Sequence, residues 1–266
     1  MSTPVEIRCP ACRAATLAVG ADAARCKCGA SFGVRDGVPD LIPDLRLHLT
    51  LSQIAMQAQP IVRIYESRFW RRSAPLAVVL GLSFDREVEL ILEQAELAPD
   101  AVILDLACGP GIYSRELARR APSGRVVGLD VSAPMLRTAV GLAQRDRLDN
   151  LSFVRASALD LPFVDGSFDA VNCCGALHLF PDIARALSEV RRVLAPRGRF
   201  TVAVARKPDV PLAGLEALAM RRFMGIEQLS EIELESRLVR AGLTGVRFAH
   251  AARGWMVASA AQRSSA

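Results

Sequence analysis

The stretch VILDLACGPG, residues 102–111, restricts the possible folds of this chain more than any other: aliphatic residues around an acid, Asp105, run into a turn carrying Gly109 and Gly111. A buried parallel strand that enters a glycine turn and then a helix is how an open α/β sheet offers backbone N–H groups to a ligand. The helix follows at once, with Tyr113, Leu117 and Ala118 as apolar members among Arg115, Glu116, Arg119 and Arg120. Gly111 is expected to let a ligand approach the backbone, because a Cβ there would intrude. A lone Gly-x-Gly also serves as a tight turn with no ligand, so the downstream pattern has to decide.

Downstream, strands and helices alternate, which predicts a parallel sheet covered on both faces. RVVGLDVS at 125–132 is the second strand and ends in an acid, Asp130. A carboxylate there can accept both hydroxyls of a ribose, or it can cap the helix predicted at 133–146, and the two roles are compatible. LSFVRASALDLPF supplies a third strand and a loop, FDAVNCCGALHLF a fourth, and RGRFTVAVA at 197–205 a fifth. Between the last two, Ile183, Leu187, Val190 and Leu194 mark the inward face of a helix. Residues 208–229 interrupt the alternation with a Met- and Phe-bearing helical insert, read either as core or as a lid over a substrate pocket. Ser230 and Glu233 form a capping box for the next helix, which Gly242 ends. TGVRFAH and WMVASA then form a closing strand pair turned at Arg253 and Gly254.

Ahead of the sheet, Cys9 and Cys12 in CPAC and Cys26 and Cys28 in CKCG cluster four thiols near the N-terminus. In a reducing compartment such clustering suggests thiolate ligands for one tetrahedral Zn²⁺, with reduced, metal-free cysteines as the alternative. Four protein ligands leave no place for water, so such a metal would be structural. Residues 1–44 are therefore expected to be a small zinc ribbon ending in FGVRDGVPDLIP. Residues 45–100 read as a helical linker and covering segment, in which Val88, Ile91, Leu92 and Ala95 define an amphipathic helix. Residues 101–260 make the α/β domain.

A chain of 266 residues holds one such domain plus a small appendage. The longest apolar run, APLAVVLGL at 74–82, is far short of a membrane-spanning helix, and MSTPVEIRCP carries no apolar signal segment, so a cytoplasmic location is expected. The net charge of +5 permits RNA or acidic partners without demanding them, since the arginines are scattered rather than massed.

Taken in order, LDLACGPG, GLDVS with Met135, ALDLPF, DGSFDAV and LSEVRRVLAPRGRF resemble the class I S-adenosylmethionine-dependent methyltransferases, and most of all the methyltransferase type 11 group that includes quinone C-methyltransferases. The cysteine ribbon with its DGVPDLIP segment is similar to that of a bacterial 23S rRNA guanine-N1 methyltransferase group. The resemblance implies a doubly wound α/β fold: a seven-stranded, mostly parallel Rossmann-like sheet with an antiparallel C-terminal strand. It implies S-adenosylmethionine as cofactor, with Ala107, Gly109 and Gly111 against the methionine moiety and Asp105 orienting its amino group. Asp130 would hold the ribose, with Val131 and Met135 flanking the adenine. Ser157 stands where the family often has an acid for the adenine amino group, so that contact falls to the Ser157 hydroxyl and the Ala158 N–H. Backbone near Asn172 and Cys173 would meet the methionine amino group, and Tyr65 matches an aromatic that closes over the cofactor. His178, at the exit of the fourth strand, is the histidine placed to take a proton from an acceptor, or else a locally packed residue.

The resulting expectation is a methyltransferase acting on a small, largely apolar or aromatic acceptor. Its competitors are an RNA ring-nitrogen methyltransferase whose ribbon grips nucleic acid, and a non-catalytic partner protein that keeps the cofactor fold as a scaffold. The oligomeric state is not readable from the sequence.

Overall fold

The computed structural model describes residues 5–42, 72–208, 218 and 220–263. Tyr65 and the rest of residues 45–71, together with residues 209–217 and 219 of the 208–229 insert, lie outside the described residues. Across the described residues, helices are numbered α1 (Ala74–Leu80), α2 (Phe84–Ala95), α3 (Ile112–Arg120), α4 (Ala133–Arg145), α5 (Ile183–Val193) and α6 (Glu231–Arg240).

The main sheet has seven strands: β5 (Val102–Leu106), β6 (Arg125–Asp130), β7 (Leu151–Arg155), β8 (Phe168–Cys174), β9 (Leu194–Ala205), β10 (Leu243–Ala252) and β11 (Trp255–Gln262), in the spatial order β10-β11-β9-β8-β5-β6-β7. Strands β7, β6, β5, β8 and β9 pair in parallel, and β11 runs antiparallel to both β9 and β10. The sequence read β10 and β11 as a closing pair. The register puts the last strand between β9 and β10, so the hairpin turned at Arg253 and Gly254 folds back into the sheet. Central strands read as unbroken apolar runs because both faces are covered: Ile103, Leu104 and Leu106 of β5 and Val202, Ala203 and Val204 of β9 are fully buried.

Helix starts follow local chemistry. Ser73, Ser83 and Ser132 each accept a first-turn N–H, Asp182 does the same for α5, and Ser230 and Glu233 make the reciprocal capping box. The cap of α4 is thus Ser132, not Asp130, whose carboxylate lies one step further back and accepts the Ser132 N–H at 2.8 Å. One buried carboxylate ties three elements together: Glu87 Oε1 of α2 accepts the Tyr113 hydroxyl of α3 at 2.8 Å and Trp255 Nε1 of β11 at 3.0 Å.

The N-terminal ribbon is a four-stranded antiparallel sheet, β1 (Ala18–Val19), β2 (Ala23–Arg25), β3 (Ser31–Arg35) and β4 (Val38–Pro39). It lies along the free edge of β7. Leu41 N–H donates to the Arg155 carbonyl at 2.9 Å, and Arg8 N–H donates to the Pro162 carbonyl at 2.8 Å. Its apolar residues Cys9, Leu17, Val34 and Leu41 belong to the same buried cluster as Leu104, Val154 and Phe163 of the α/β body. Among the described residues no helix is long and apolar enough to cross a membrane.

Candidate functional site

Strands β5 and β8 are neighbours whose connections leave on opposite sides, and in open α/β sheets ligands bind at the carboxyl ends of the strands beside such a switch point. A cleft opens there, walled by the turn after β5 and the ends of β6 and β8. The turn is held in an unusual backbone shape: Ala107, Gly109 and Gly111 all have positive φ, at 55°, 54° and 76°. Ala107 pays a steric penalty of about 1–2 kcal/mol for that conformation, which persists because Cys108 N–H is anchored on the Leu129 carbonyl at 3.0 Å.

Gly109 and Gly111 differ in what a side chain would meet. At Gly109, on the cleft wall, a Cβ would find nothing within 4 Å, so bare main chain faces open space. At Gly111 a Cβ would come 3.2 Å from Ala139 Cβ of α4 and 3.5 Å from the Phe153 ring. The structure gives the missing side chain at Gly111 a packing role: it lets the start of α3 pack on α4. Gly111→Ala should cost about 1–2 kcal/mol through the positive φ alone, read as a lower denaturant midpoint, with any loss of ligand affinity secondary to it.

Asp130 lines the cleft and is fixed by two backbone donors, Gly109 N–H to Oδ2 at 2.8 Å and Ser132 N–H to Oδ1 at 2.8 Å. Burial raises its pKa, opposed by those hydrogen bonds. Val131, Ser132 and Met135 continue this wall, whereas Ile112, Tyr113, Leu179 and Phe180 make the rest of the cleft apolar and aromatic.

Other expected residues sit behind the wall. Asp105 is buried, accepting from Asn172 Nδ2 at 2.6 Å and from the Ser114 hydroxyl. Burial pushes it up to about 6 against the pull of those two donors. Asn172 and Cys173 are buried with it, and on β8 it is Cys174 that reaches the cleft. The period-two alternation of a strand puts adjacent residues on opposite faces, and it is the signal that could have told Cys173 from Cys174. Ser157 accepts the Leu159 N–H at 3.1 Å in the loop after β7, beside buried Ala158, and neither lines the cleft. His178 is buried, its Nδ1 accepting the Ala205 N–H at 3.3 Å and its ring packed edge-on to Trp255. Burial lowers it to about 4, so it is a neutral imidazole off the cleft wall, and the position expected of an acceptor-side base is not the one it occupies.

In the ribbon, Cys9, Cys12, Cys26 and Cys28 bring their sulfurs within 4.8 Å of one another. The pairs Cys9–Cys28 and Cys12–Cys26 stand 3.9 and 3.7 Å apart. A zinc tetrahedron with bonds of about 2.3 Å has edges of roughly 3.8 Å, so the four thiols fit that ion. The Ala14 and Ala15 N–H groups draw the Cys12 thiol down to about 6. Cys26, despite a donor from the Cys28 backbone, is pushed up to about 12 by burial and its neighbouring thiols, a crowding that a cation relieves.

Parts of the chain are similar to known methyltransferases. Residues 103–198 match the family model of a methyltransferase domain. A demethylmenaquinone methyltransferase of Thermus thermophilus is 43% identical over 130 residues, covering 49% of this chain and 57% of that protein. An uncharacterized chloroplast methyltransferase of Arabidopsis thaliana is 30% identical over 191 residues, covering 70% of this chain and 53% of that protein. The chain thus spans about half the length of these curated relatives. Among solved structures, an S-adenosylmethionine-dependent methyltransferase from Aquifex aeolicus superposes with a TM-score of 0.59 over 77% of this chain and 98% of that one, at 18% identity, a likeness of fold.

Proposed function

We propose that this chain, whose residues 103–198 match the family model of a methyltransferase domain, is a class I S-adenosylmethionine-dependent methyltransferase that binds S-adenosylmethionine in the cleft above β5 and transfers a methyl group to a small, largely apolar or aromatic acceptor of the quinone type. The observation that carries this reading is the division of the cleft: bare main chain at Gly109 and the Asp130 carboxylate on one side, and Ile112, Leu179 and Phe180 on the other. The names of the relatives, demethylmenaquinone and 2-phytyl-1,4-naphtoquinone methyltransferases, point to the same acceptor class.

When bound, the cofactor supplies a methyl group already activated by its sulfonium. The protein's task is alignment and exclusion of water. Asp130 would hold the ribose hydroxyls, its orientation preset by Gly109 and Ser132 N–H groups. Val131 and Met135 would flank the adenine, with Ser157 and Ala158 at its rim. Asp105, Asn172 and Cys173 would act from beneath, shaping the turn and placing negative charge under a cationic ligand. Tyr65 would close over the cofactor, and Ile112, Tyr113 and Phe180 would take the acceptor ring. Zinc would hold the ribbon through Cys9, Cys12, Cys26 and Cys28. We place the working boundaries at 1–44, 45–100 and 101–260, and the protein in the cytoplasm, where thiols stay available to metal.

The reading is tested by incubating the protein with methyl-labelled S-adenosylmethionine and, separately, reduced naphthoquinones, total RNA and buffer alone. Label in the quinol arm is expected. Label in RNA, sensitive to salt, would favour the ring-nitrogen reading, and cofactor binding with no transfer to any acceptor would favour a partner protein. His178→Gln is expected to keep cofactor affinity and lose less than about threefold in rate, because a group off the cleft wall has no reach to the acceptor. A hundredfold loss with affinity intact would return it to the role of base.

Ionisation gives a further expected result. A carboxyl raised in the folded chain favours the fold when protonated, a contribution complete below the ordinary value of 3.8 and lost as pH climbs through about 6 at Asp105. A cationic ligand prefers the ionised form, so affinity for S-adenosylmethionine should be about tenfold weaker at pH 5 than at pH 7. Calorimetry in buffers of different ionisation enthalpy should register the proton released on binding.

A further inference from the structure

We infer that the ribbon is a positioning device for the adenosine half of the cofactor site, acting through Asp40 and Arg155. Its motif ends where the family-matched region has yet to begin, yet its last residues reach the turn that carries Asp130.

The connection is continuous. Asp40 is fixed within the ribbon: its N–H donates to the Gly33 carbonyl of β3 at 2.8 Å, and its Oδ1 accepts the Ile42 N–H at 3.1 Å. Its Oδ2 then accepts Arg155 Nη1 at 2.7 Å, in an ion pair whose side chains are 26% and 13% exposed, shielded enough to outlast salt. Arg155 Nε donates to the Val131 carbonyl at 2.9 Å. On the other end of that same peptide unit, the Ser132 N–H donates to Asp130 Oδ1. A peptide is a rigid plane, so an arginine holding its C=O and a carboxylate holding its N–H fix one another's direction. Arg155 also pairs with Asp130 across the β6–β7 register. The ribbon supports the site from below as well: Val38 is buried against Cys108, Leu136, Ala139 and Phe153, the small cluster on which the glycine turn rests.

A second contact of the ribbon provides the control. Arg13 pairs with Asp160 at 2.8 Å, but both side chains are exposed, at 59% and 41%, and the pair joins no residue that lines the cleft through its side chains among the described residues. Surface pairs of this kind contribute little.

The inference rests on the cleft being the S-adenosylmethionine site, and one set of titrations separates the two. Full-length protein is titrated calorimetrically with S-adenosylhomocysteine and with 5′-methylthioadenosine, which keeps the adenosine half and lacks the amino acid. Arg155→Gln is expected to weaken both ligands by the same factor, about tenfold, with Asp40→Asn between it and the wild type and Arg13→Ala within twofold of the wild type. Arg155→Lys, which can reach Asp40 or Val131 but not both, should recover part of the loss. All titrations are run well below the unfolding midpoint of each variant, where a merely destabilised protein binds as the wild type does. If Arg155→Gln does not fold, Asp40→Asn carries the same comparison. Wild-type affinity in the folded variants, or a loss confined to S-adenosylhomocysteine, overturns the positioning role and leaves the cofactor reading standing. A wild-type protein that binds neither ligand overturns both.

Discussion

Replacing Asp130 with alanine is expected to weaken S-adenosylhomocysteine by at least about a hundredfold, since hydrogen bonds to a charged group contribute roughly 1.5–3 kcal/mol each and two ribose hydroxyls would lose theirs. The structure adds a reason for a large effect. The same carboxylate accepts Gly109 N–H and Ser132 N–H, so its removal also frees the turn that presents bare main chain to the ligand. Asp130→Asn separates the contributions. Its amide keeps one acceptor but turns an NH₂ toward one of those two N–H donors, so it should lie between alanine and wild type. Calorimetry decides the matter: an alanine variant that is folded and binds as the wild type does would remove Asp130 from the ribose.

The second large effect is expected in the ribbon. Wild-type protein purified under reducing conditions should carry about one zinc per chain, and Cys9→Ser should lose it, because the remaining three thiols hold the ion with one ligand fewer. Binding energy for a structural zinc is folding energy. The loss should therefore appear as a fall of about 10 °C in the thermal midpoint, at a few degrees per kcal/mol for a chain of this size. It should also expose residues 5–42 to protease. Cys9 is fully buried and shares a cluster with Phe163 and Val154, so loosening should spread to the β7 edge rather than stay in a tethered appendage. Metal analysis that finds no zinc in fresh wild-type protein would end this reading, and a Cys9→Ser variant with an unchanged midpoint would end the structural role of the metal.

Much of this molecule follows from local rules. Continuous apolar runs carrying an acid near their end mark β5 and β6 because a parallel strand is buried on both faces, and the cap at Ser230 follows from the four unpaired N–H groups that open every helix. Gly109 is legible for the same reason, because strand, acid and glycine turn lie within one short stretch, whereas the contact of its N–H with Asp130 spans 21 residues and depends on β6 pairing in parallel with β5. Cysteine spacing likewise brings Cys9, Cys12, Cys26 and Cys28 together without reference to the rest of the chain.

What separates Gly109 from Gly111 is which neighbour each one faces, and at Gly111 that is fixed by α4 and Phe153. His178 reads as an accessible base at the end of a strand, but Trp255, a residue far along the chain, closes over it and burial strips it of its charge. Strand order is decided in the same way, since the last strand enters between β9 and β10 by pairing with residues distant in sequence. The path from Asp40 through Arg155 to the Val131–Ser132 peptide joins three separate stretches of chain. Sequence by itself determined the pieces whose physics is local: periodicity, caps, glycine turns and thiol spacing. Tertiary structure alone decided which of those pieces meet, because desolvation and ion pairing depend on atoms that the chain brings together only once it has folded.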